Sequence, residues 1–189
     1  MVVGVTGHSG FIGRALCKAI QAKGWNLIKI NREYSPIKCD RIYHLACPGT
    51  TEAINNDPLG VMDTIIDGTK KAIAISPGAE FINISSMGAN DTTGDSPQIC
   101  YNTAKRVMEM YLRYAEVDGV NYRLPSIYGK GMSKDSFIQR CIDGRAGKPM
   151  FPDKMHYIMP LDELIPALIN LNQLTIEEIS LGDIYDRFT

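Results

Sequence analysis

The chain has 189 residues, 44% of them apolar and 22% charged, with a formal net charge of −1. That length suits one domain, or one domain with a small appendage, and a core that needs no disulfides. The near-zero charge gives no electrostatic reason to expect nucleic acid or an anionic membrane as partner, no apolar run approaches the roughly 18–20 residues of a membrane span, and no signal peptide is evident.

"MVVGVT" is short and β-branched enough to be a buried strand, and "RALCKAIQAKG" has apolar residues at helical spacing with a glycine to stop it. Between them, Gly7, Gly10 and Gly13 punctuate "GHSGFIG". Glycine permits a sharp turn and close approach, and the free N–H groups of a first helical turn point at an anion, so this unit predicts a phosphate site. The pattern resembles the dinucleotide fingerprint, although its first two glycines are three apart rather than two.

"NLIKI" reads as strand two, ending at Asn31–Arg32, and "RIYHLAC" as the next strand. Only eight residues, Glu33 to Asp40, lie between, too few for a helical crossover of about a dozen. Either a strand and its helix are missing here or the connection is unusual. "NNDPLGVMDTIIDGTKKAIAIS" predicts a helix with Asp57 as N-cap and Pro58 at its first position. "AEFINISS" is a fourth strand, followed by a polar loop from Gly88 to Pro97. A long helix is expected over roughly Tyr101–Val117, with Met108, Tyr111, Leu112 and Ala115 on one apolar face. "VNYRLPSIYG" reads as a fifth strand, and beyond it come a helix near Ser136–Asp143, a Gly/Pro stretch and a final helix near Leu161–Leu171. Strands alternating with helices predict an α/β fold with a doubly wound parallel sheet of Rossmann type. Ligands then sit at the carboxyl ends of the strands, where the glycine turn lies.

The five cysteines, Cys17, Cys39, Cys47, Cys100 and Cys141, are odd in number, scattered and without C-x-x-C spacing, which argues against a disulfide framework or zinc site and fits a reducing cytoplasm. His8, His44 and His156 lack ligand-like spacing and read as loop or core residues, so no metal is expected. In "YNTAKRVMEMY", Tyr101 and Lys105 are four apart and share a helix face. An ammonium group beside a phenol favours the phenolate and lowers its pKa from about 10, making tyrosine a usable general acid/base. Ser86 closes the strand "INISS", where its hydroxyl could bond a substrate carbonyl or alkoxide.

A glycine-rich turn, a serine at a strand end and Y-x-x-x-K, in that order, resemble the short-chain dehydrogenase/reductase superfamily. "VTGHSGFIG", "YHLAC", "DPLGVMDTIIDGT", "SS", "YNTAK", "YRLPSIYGKG" and "PLDEL" resemble its extended branch, the nucleotide-sugar epimerases and dehydratases, from residue 2 to about residue 170. The resemblance implies an NAD(P)-binding domain over residues 1–130 and a reduced substrate-binding region, residues 131–189, packed on it. It implies hydride transfer at C4 of a nicotinamide: Tyr101 moves the hydroxyl proton, Lys105 holds the ribose and tunes Tyr101, and Ser86, preferred over Ser85, orients the substrate oxygen. Cofactor contacts are implied at Gly7, Ser9, Gly10, Phe11, Ile12 and Gly13, at Asn31 and Arg32, at Leu45, Ala46 and Cys47, and at Ser85, Tyr101, Lys105 and Pro125. Substrate contacts are implied at Met87, Ser126 and His156. Relatives commonly dimerise through the Tyr/Lys helix and the one before it, so a cytoplasmic homodimer is expected.

Several positions depart from the family pattern. Asn31 stands where an acidic residue binds the adenosine ribose of NAD, and Arg32 follows it, which favours NADP over NAD because a guanidinium can bind a 2′-phosphate. Ile65 replaces an asparagine, Asn90 lies near the place of a missing tyrosine, Ser126 and Lys130 replace Asn and Pro, and His156 aligns with an arginine. The last hundred or so residues of the family are largely missing. Met87–Gly88 occupies the place of the dehydratases' acidic pair, so elimination is not expected. A nucleotide-sugar epimerase and a keto-sugar reductase both remain; a non-catalytic NAD(P)-binding regulator and a reductase of a non-sugar carbonyl are the alternatives.

Overall fold

Val3 and Val5 of β1 (Val2–Thr6) are completely buried, as in a central strand of a parallel sheet whose faces are covered by helices. In the computed structural model, which describes residues 1–189, β1 pairs in parallel with β2 (Asn26–Ile30) on one side and β3 (Arg41–His44) on the other. Next to β3 come β4 (Glu80–Ser86) and β5 (Gly119–Leu124), giving a five-stranded parallel sheet in the order β2-β1-β3-β4-β5. This is the expected Rossmann-type α/β architecture. Thr6 sits level with Ile30 and with His44, so the carboxyl ends of β1, β2 and β3 align where the strand order reverses, the place such sheets reserve for ligands.

The helices follow local signals with shifted boundaries. α1 (Phe11–Ala22) starts three residues before the expected "RALCKAIQAKG" and buries Gly13, Leu16, Cys17 and Ile20, one face at helical spacing. The Asp57 carboxylate accepts from the Gly60 N–H at 2.9 Å, and α3 (Pro58–Ala74) begins with Pro58 as expected. A short helix not anticipated, α2 (Thr51–Asn56), precedes it and is capped by Thr50. α4 (Gln98–Tyr114) also starts three residues early. Its buried face is Ala104, Met108 and Leu112 together with Asn102, Lys105 and Glu109; Tyr111 is exposed on the flank, and Ala115 lies past the last turn.

No helix bridges β2 and β3. An irregular segment crosses instead, with the Ile37 N–H donating to the Ile75 carbonyl at 2.9 Å and the Asp40 N–H to the Val2 carbonyl at 2.9 Å. Cys39 joins a cluster of Ile30, Ile42, Ala72, Ile75, Phe81 and Leu112, onto which Tyr34 and Ile37 also pack. With β2 at the edge of the sheet, the strand and helix usual after strand two are missing, and the short connection runs directly to β3 with its apolar side chains packed on the core.

"VNYRLPSIYG" is not one strand. Pro125 has no N–H to donate and separates β5 from β6 (Ser126–Tyr128), which belongs to another sheet. The chain forms two compact units, Met1–Leu124 and Pro125–Thr189. In the second, β6 runs parallel to β7 (Met155–Pro160) and β8 (Glu177–Ser180) antiparallel to it. α5 (Phe137–Ile142) is capped by Ser136, and α6 (Leu161–Asn170) ends where Leu171 turns left-handed, as the sequence spacing indicates. α6 is not the final helix: β8 and α7 (Leu181–Phe188) follow, and these, like β7, are too short to leave a clear period in the sequence. No helix is long and apolar enough to cross a membrane.

Candidate active site

The glycine turn leaves β1 at Gly7, whose φ of +64° is left-handed; a Cβ there would stand 2.7 Å from the Ala46 nitrogen. The Gly10 N–H closes the turn onto the Gly7 carbonyl at 3.0 Å. A Cβ on Gly13 would lie 2.1 Å from that same carbonyl oxygen, so Gly13 lets α1 pack down on the turn. No side chain caps α1 and no acidic residue lies in its first turn, which leaves the positive end of the helix available to an anion.

Beside this turn lies a cleft of about 850 Å³, within the range of small-molecule and cofactor sites. Of the anticipated cofactor residues, Gly7, Ser9, Gly10, Asn31, Arg32, Leu45, Ala46 and Cys47 line it. Phe11, Ile12 and Gly13 do not; they form the first turn of α1 behind it. Sequence reasoning missed Thr6, His8, Tyr34 and Pro48, and the α3 residues Asp63, Thr64, Asp67, Gly68 and Lys71. The i, i+4, i+8 spacing of Asp63, Asp67 and Lys71 was the available signal, a polar stripe on one helix face. Tyr34 sits in irregular chain and left none. Across the mouth of the turn, the His8 ring nitrogen and the Asn31 side-chain oxygen are 3.2 Å apart.

The 45–47 wall is held by a buried relay. Thr69 donates its hydroxyl proton to the Ile65 carbonyl at 2.7 Å, so toward His44 Nε2, 3.2 Å away, it can only accept. His44 therefore carries its proton on Nε2, and Nδ1 accepts from the Thr6 hydroxyl at 2.9 Å. The Thr6 oxygen is left to accept from the N–H groups of Leu45 and Ala46, each at 3.1 Å. Burial, with the Lys105 charge adding to it, pulls the His44 pKa down to about 3 and keeps the ring neutral.

At the end of β4 the two serines part. The buried Ser85 hydroxyl donates to Glu109 at 2.6 Å, and the same carboxylate accepts Arg123 on both oxygens and Arg106 at 3.3 Å. Arg123 also bonds Asn90, in the 3-10 turn Met87–Asn90 that follows β4. The half-buried Ser86 accepts from the Gly88 N–H at 3.1 Å and interacts with the Tyr101 hydroxyl. Cys47 also meets that hydroxyl: a Cβ on Gly49 would find its sulfur and the Tyr101 Oη each at 3.7 Å. Lys105 lies one turn on, its Nζ 5.7 Å from the Tyr101 ring centre. That ammonium donates to the Ile84 carbonyl at 2.8 Å.

One expectation is corrected here. Tyr101 is pushed up from the ordinary phenol value, not down, with burial as the main cause and Cys47 adding to it against the Ser86 hydrogen bond. The Lys105 ammonium is engaged by a carbonyl rather than by the phenol, so Tyr101 is a proton-bearing phenol at neutral pH. Within the second unit, which begins at Pro125, Ser126 Oγ and His156 Nε2 meet at 2.8 Å. Burial and Lys154 hold that imidazole below its usual value.

Residues 3–149 match the family model described as the NAD dependent epimerase/dehydratase family. The chain belongs to that family. Among curated members it resembles UDP-glucuronic acid decarboxylase 4 of Arabidopsis thaliana, 26% identical across 69% of this chain and 40% of that protein. The chain thus spans about two fifths of that relative's length. Among solved structures, a dTDP-4-dehydrorhamnose reductase from Clostridium acetobutylicum superposes with a TM-score of 0.80 at 16% identity, over 100% of this chain and 79% of that one. RMD from Pseudomonas aeruginosa, complexed with NADPH, gives 0.76 at 18% identity over 98% and 80%. These structural likenesses establish a shared fold. The uncapped helix end, the glycine turn and the size of the cleft fit the dinucleotide on which the family depends.

Proposed function

We propose that the chain is an NAD(P)-dependent nucleotide-sugar epimerase or keto-sugar reductase, with Ser86, Tyr101 and Lys105 as its proton-handling set. The carrying observation is the meeting of the Tyr101 hydroxyl with Ser86 at the end of β4, Lys105 one helical turn away. The dinucleotide would supply or accept hydride at its nicotinamide. Tyr101 gives its proton to a carbonyl oxygen as that carbon is reduced, and Ser86 donates a hydrogen bond to the same oxygen. The Lys105 ammonium, held by the Ile84 carbonyl 5.7 Å from the ring centre, favours the phenolate left behind as a nearby positive charge rather than as a hydrogen-bond donor to it.

The Arg32 position supports the reductase reading of the two, because a reductase works with an exchangeable cofactor such as NADPH. The names of the relatives, with UDP-glucuronic acid in one and dTDP-4-dehydrorhamnose in another, support a nucleotide-sugar substrate. Arg32 in the cleft supports NADP over NAD. A homodimer is supported by Val107, Met110, Tyr111 and Tyr114, an exposed apolar stripe at i, i+3, i+4, i+7 along α4.

Calorimetric titration with NADPH and NADH tests the cofactor reading. Tight NADPH binding that weakens at least tenfold in Arg32→Ala, with NADH unchanged, is expected. Turnover of a 4-keto nucleotide-sugar that disappears in Tyr101→Phe, with NADPH affinity retained, is the result expected for the chemistry. Binding of neither dinucleotide would overturn the reading.

A further inference from the structure

The irregular β2–β3 segment brings one aromatic side chain into the cleft. Tyr34 has φ +48°, a left-handed conformation that a bulky residue keeps only where its surroundings hold it. What holds it is visible: the side chain packs on the Ile30–Ile42–Phe81 core cluster, and a Cβ on Gly68 of α3 would stand 3.4 Å from its hydroxyl. Burial raises the phenol's pKa despite the nearby Arg32 charge, so the side chain is neutral. Tyr34 is nevertheless only half-buried, and it lines the cleft. The side chain therefore touches the core on one side and the cleft on the other.

The residues that line the cleft, taken in chain order, point to what that side chain meets. The glycine turn and the end of α1 suit a pyrophosphate, and Asn31 and Arg32 at the end of β2 suit the adjoining ribose. Tyr34 lies two residues further along the same segment, beyond the ribose position, and the carboxylate of Asp67 lines the same cleft as an acceptor for an exocyclic amino group. The geometry points to Tyr34 as the platform on which the adenine ring of the dinucleotide stacks, in a wall built by the shortened connection itself. The assignment rests on the NAD(P) reading above and adds a residue to it.

Stacking of a base on an aromatic side chain is worth roughly 1–3 kcal/mol by alanine substitution, about five- to a hundredfold in affinity. The test is calorimetric titration of the full chain with NADPH for wild type, Tyr34→Phe and Tyr34→Ala, with proton NMR of the adenine H2 and H8 resonances in each mixture. Tyr34→Phe should keep the affinity and the upfield ring-current shift of H2 and H8, whereas Tyr34→Ala should weaken binding about tenfold or more and lose the shift. The shift separates stacking from a merely structural role. If Tyr34→Ala binds as wild type does, binds more tightly, or weakens while wild type shows no upfield shift, the platform is wrong and the NAD(P) reading stands. If wild type binds neither NADPH nor NADH, both fall together.

Discussion

Arg123→Met tests the network under the serine pair. Glu109 is only 7% exposed and receives Arg123 on both oxygens, with Ser85 and Arg106 as its other donors. Removing one partner of a buried ion pair typically costs 3–5 kcal/mol, because the remaining charge is left without compensation. Arg123 is 30% exposed and Arg106 stays in place, so the low end applies, about 3 kcal/mol. For a chain of this size that lowers Tm by roughly 6–12 °C. The pH dependence carries a sign. Burial alone would raise the Glu109 pKa, but the Arg123, Ser85 and Arg106 bonds outweigh it and hold the carboxyl below its ordinary value of 4.5. Its contribution is therefore complete above about pH 4.5 and is lost as pH falls through the lowered native value. Thermal unfolding of wild type and Arg123→Met at pH 7 and at stepwise lower pH should show a gap that narrows in acid. A variant as stable as wild type at pH 7, or a gap that widens in acid, would refute the argument.

Two further outcomes concern the glycine turn and the buried relay. Gly13→Ala forces a Cβ to within 2.1 Å of the Gly7 carbonyl oxygen, while Gly24→Ala, at φ +71° with nothing near, meets only conformational strain of about 1–2 kcal/mol. Gly13→Ala should therefore lower Tm more and cut NADPH affinity, and an effect no larger than that of Gly24→Ala would contradict the packing described. His44, held by burial at about 3 against an ordinary value of 6.5, is protonated in the unfolded chain first. Its contribution is present above about pH 6.5 and is lost progressively toward pH 3, so urea midpoints should fall over that window, and His44→Gln should flatten the fall. An unchanged slope in the variant would mean that other groups carry it.

What could be read in the sequence was what depends on neighbours a few residues apart. The Gly7–Gly13 turn, the Asp57–Pro58 helix start and the Leu161 helix are local devices, and their chemistry is printed in the order of residues. α4 was displaced because the apolar period marks a face rather than an end, and its start is set by the turn at Ser96–Pro97. Pro125 was in plain sight, yet the apolar run on both sides of it disguised a change of sheet. The Thr6–His44–Thr69 relay joins residues 25 and 38 positions apart, a pairing that only the folded sheet makes. The direction of the Tyr101 shift is hidden for a similar reason: the i, i+4 spacing puts Lys105 beside it, but burial in the folded chain dominates and the Ile84 carbonyl on β4 takes the ammonium's hydrogen bond.

β2 ends the sheet on one side, with no strand beyond it. A bare edge offers unpaired N–H and C=O groups to any extended chain that drifts past, the first step of runaway sheet growth. Here that edge is only five residues long, with Lys29 exposed near its middle and Asn26 at its start, and the chain turns irregular directly after Ile30. Brevity and a lysine are the usual guards of such a border, because an incoming strand would gain few ladder bonds while stripping water from an ammonium group. The same short connection that leaves the border open thus leaves it too short and too polar to be copied.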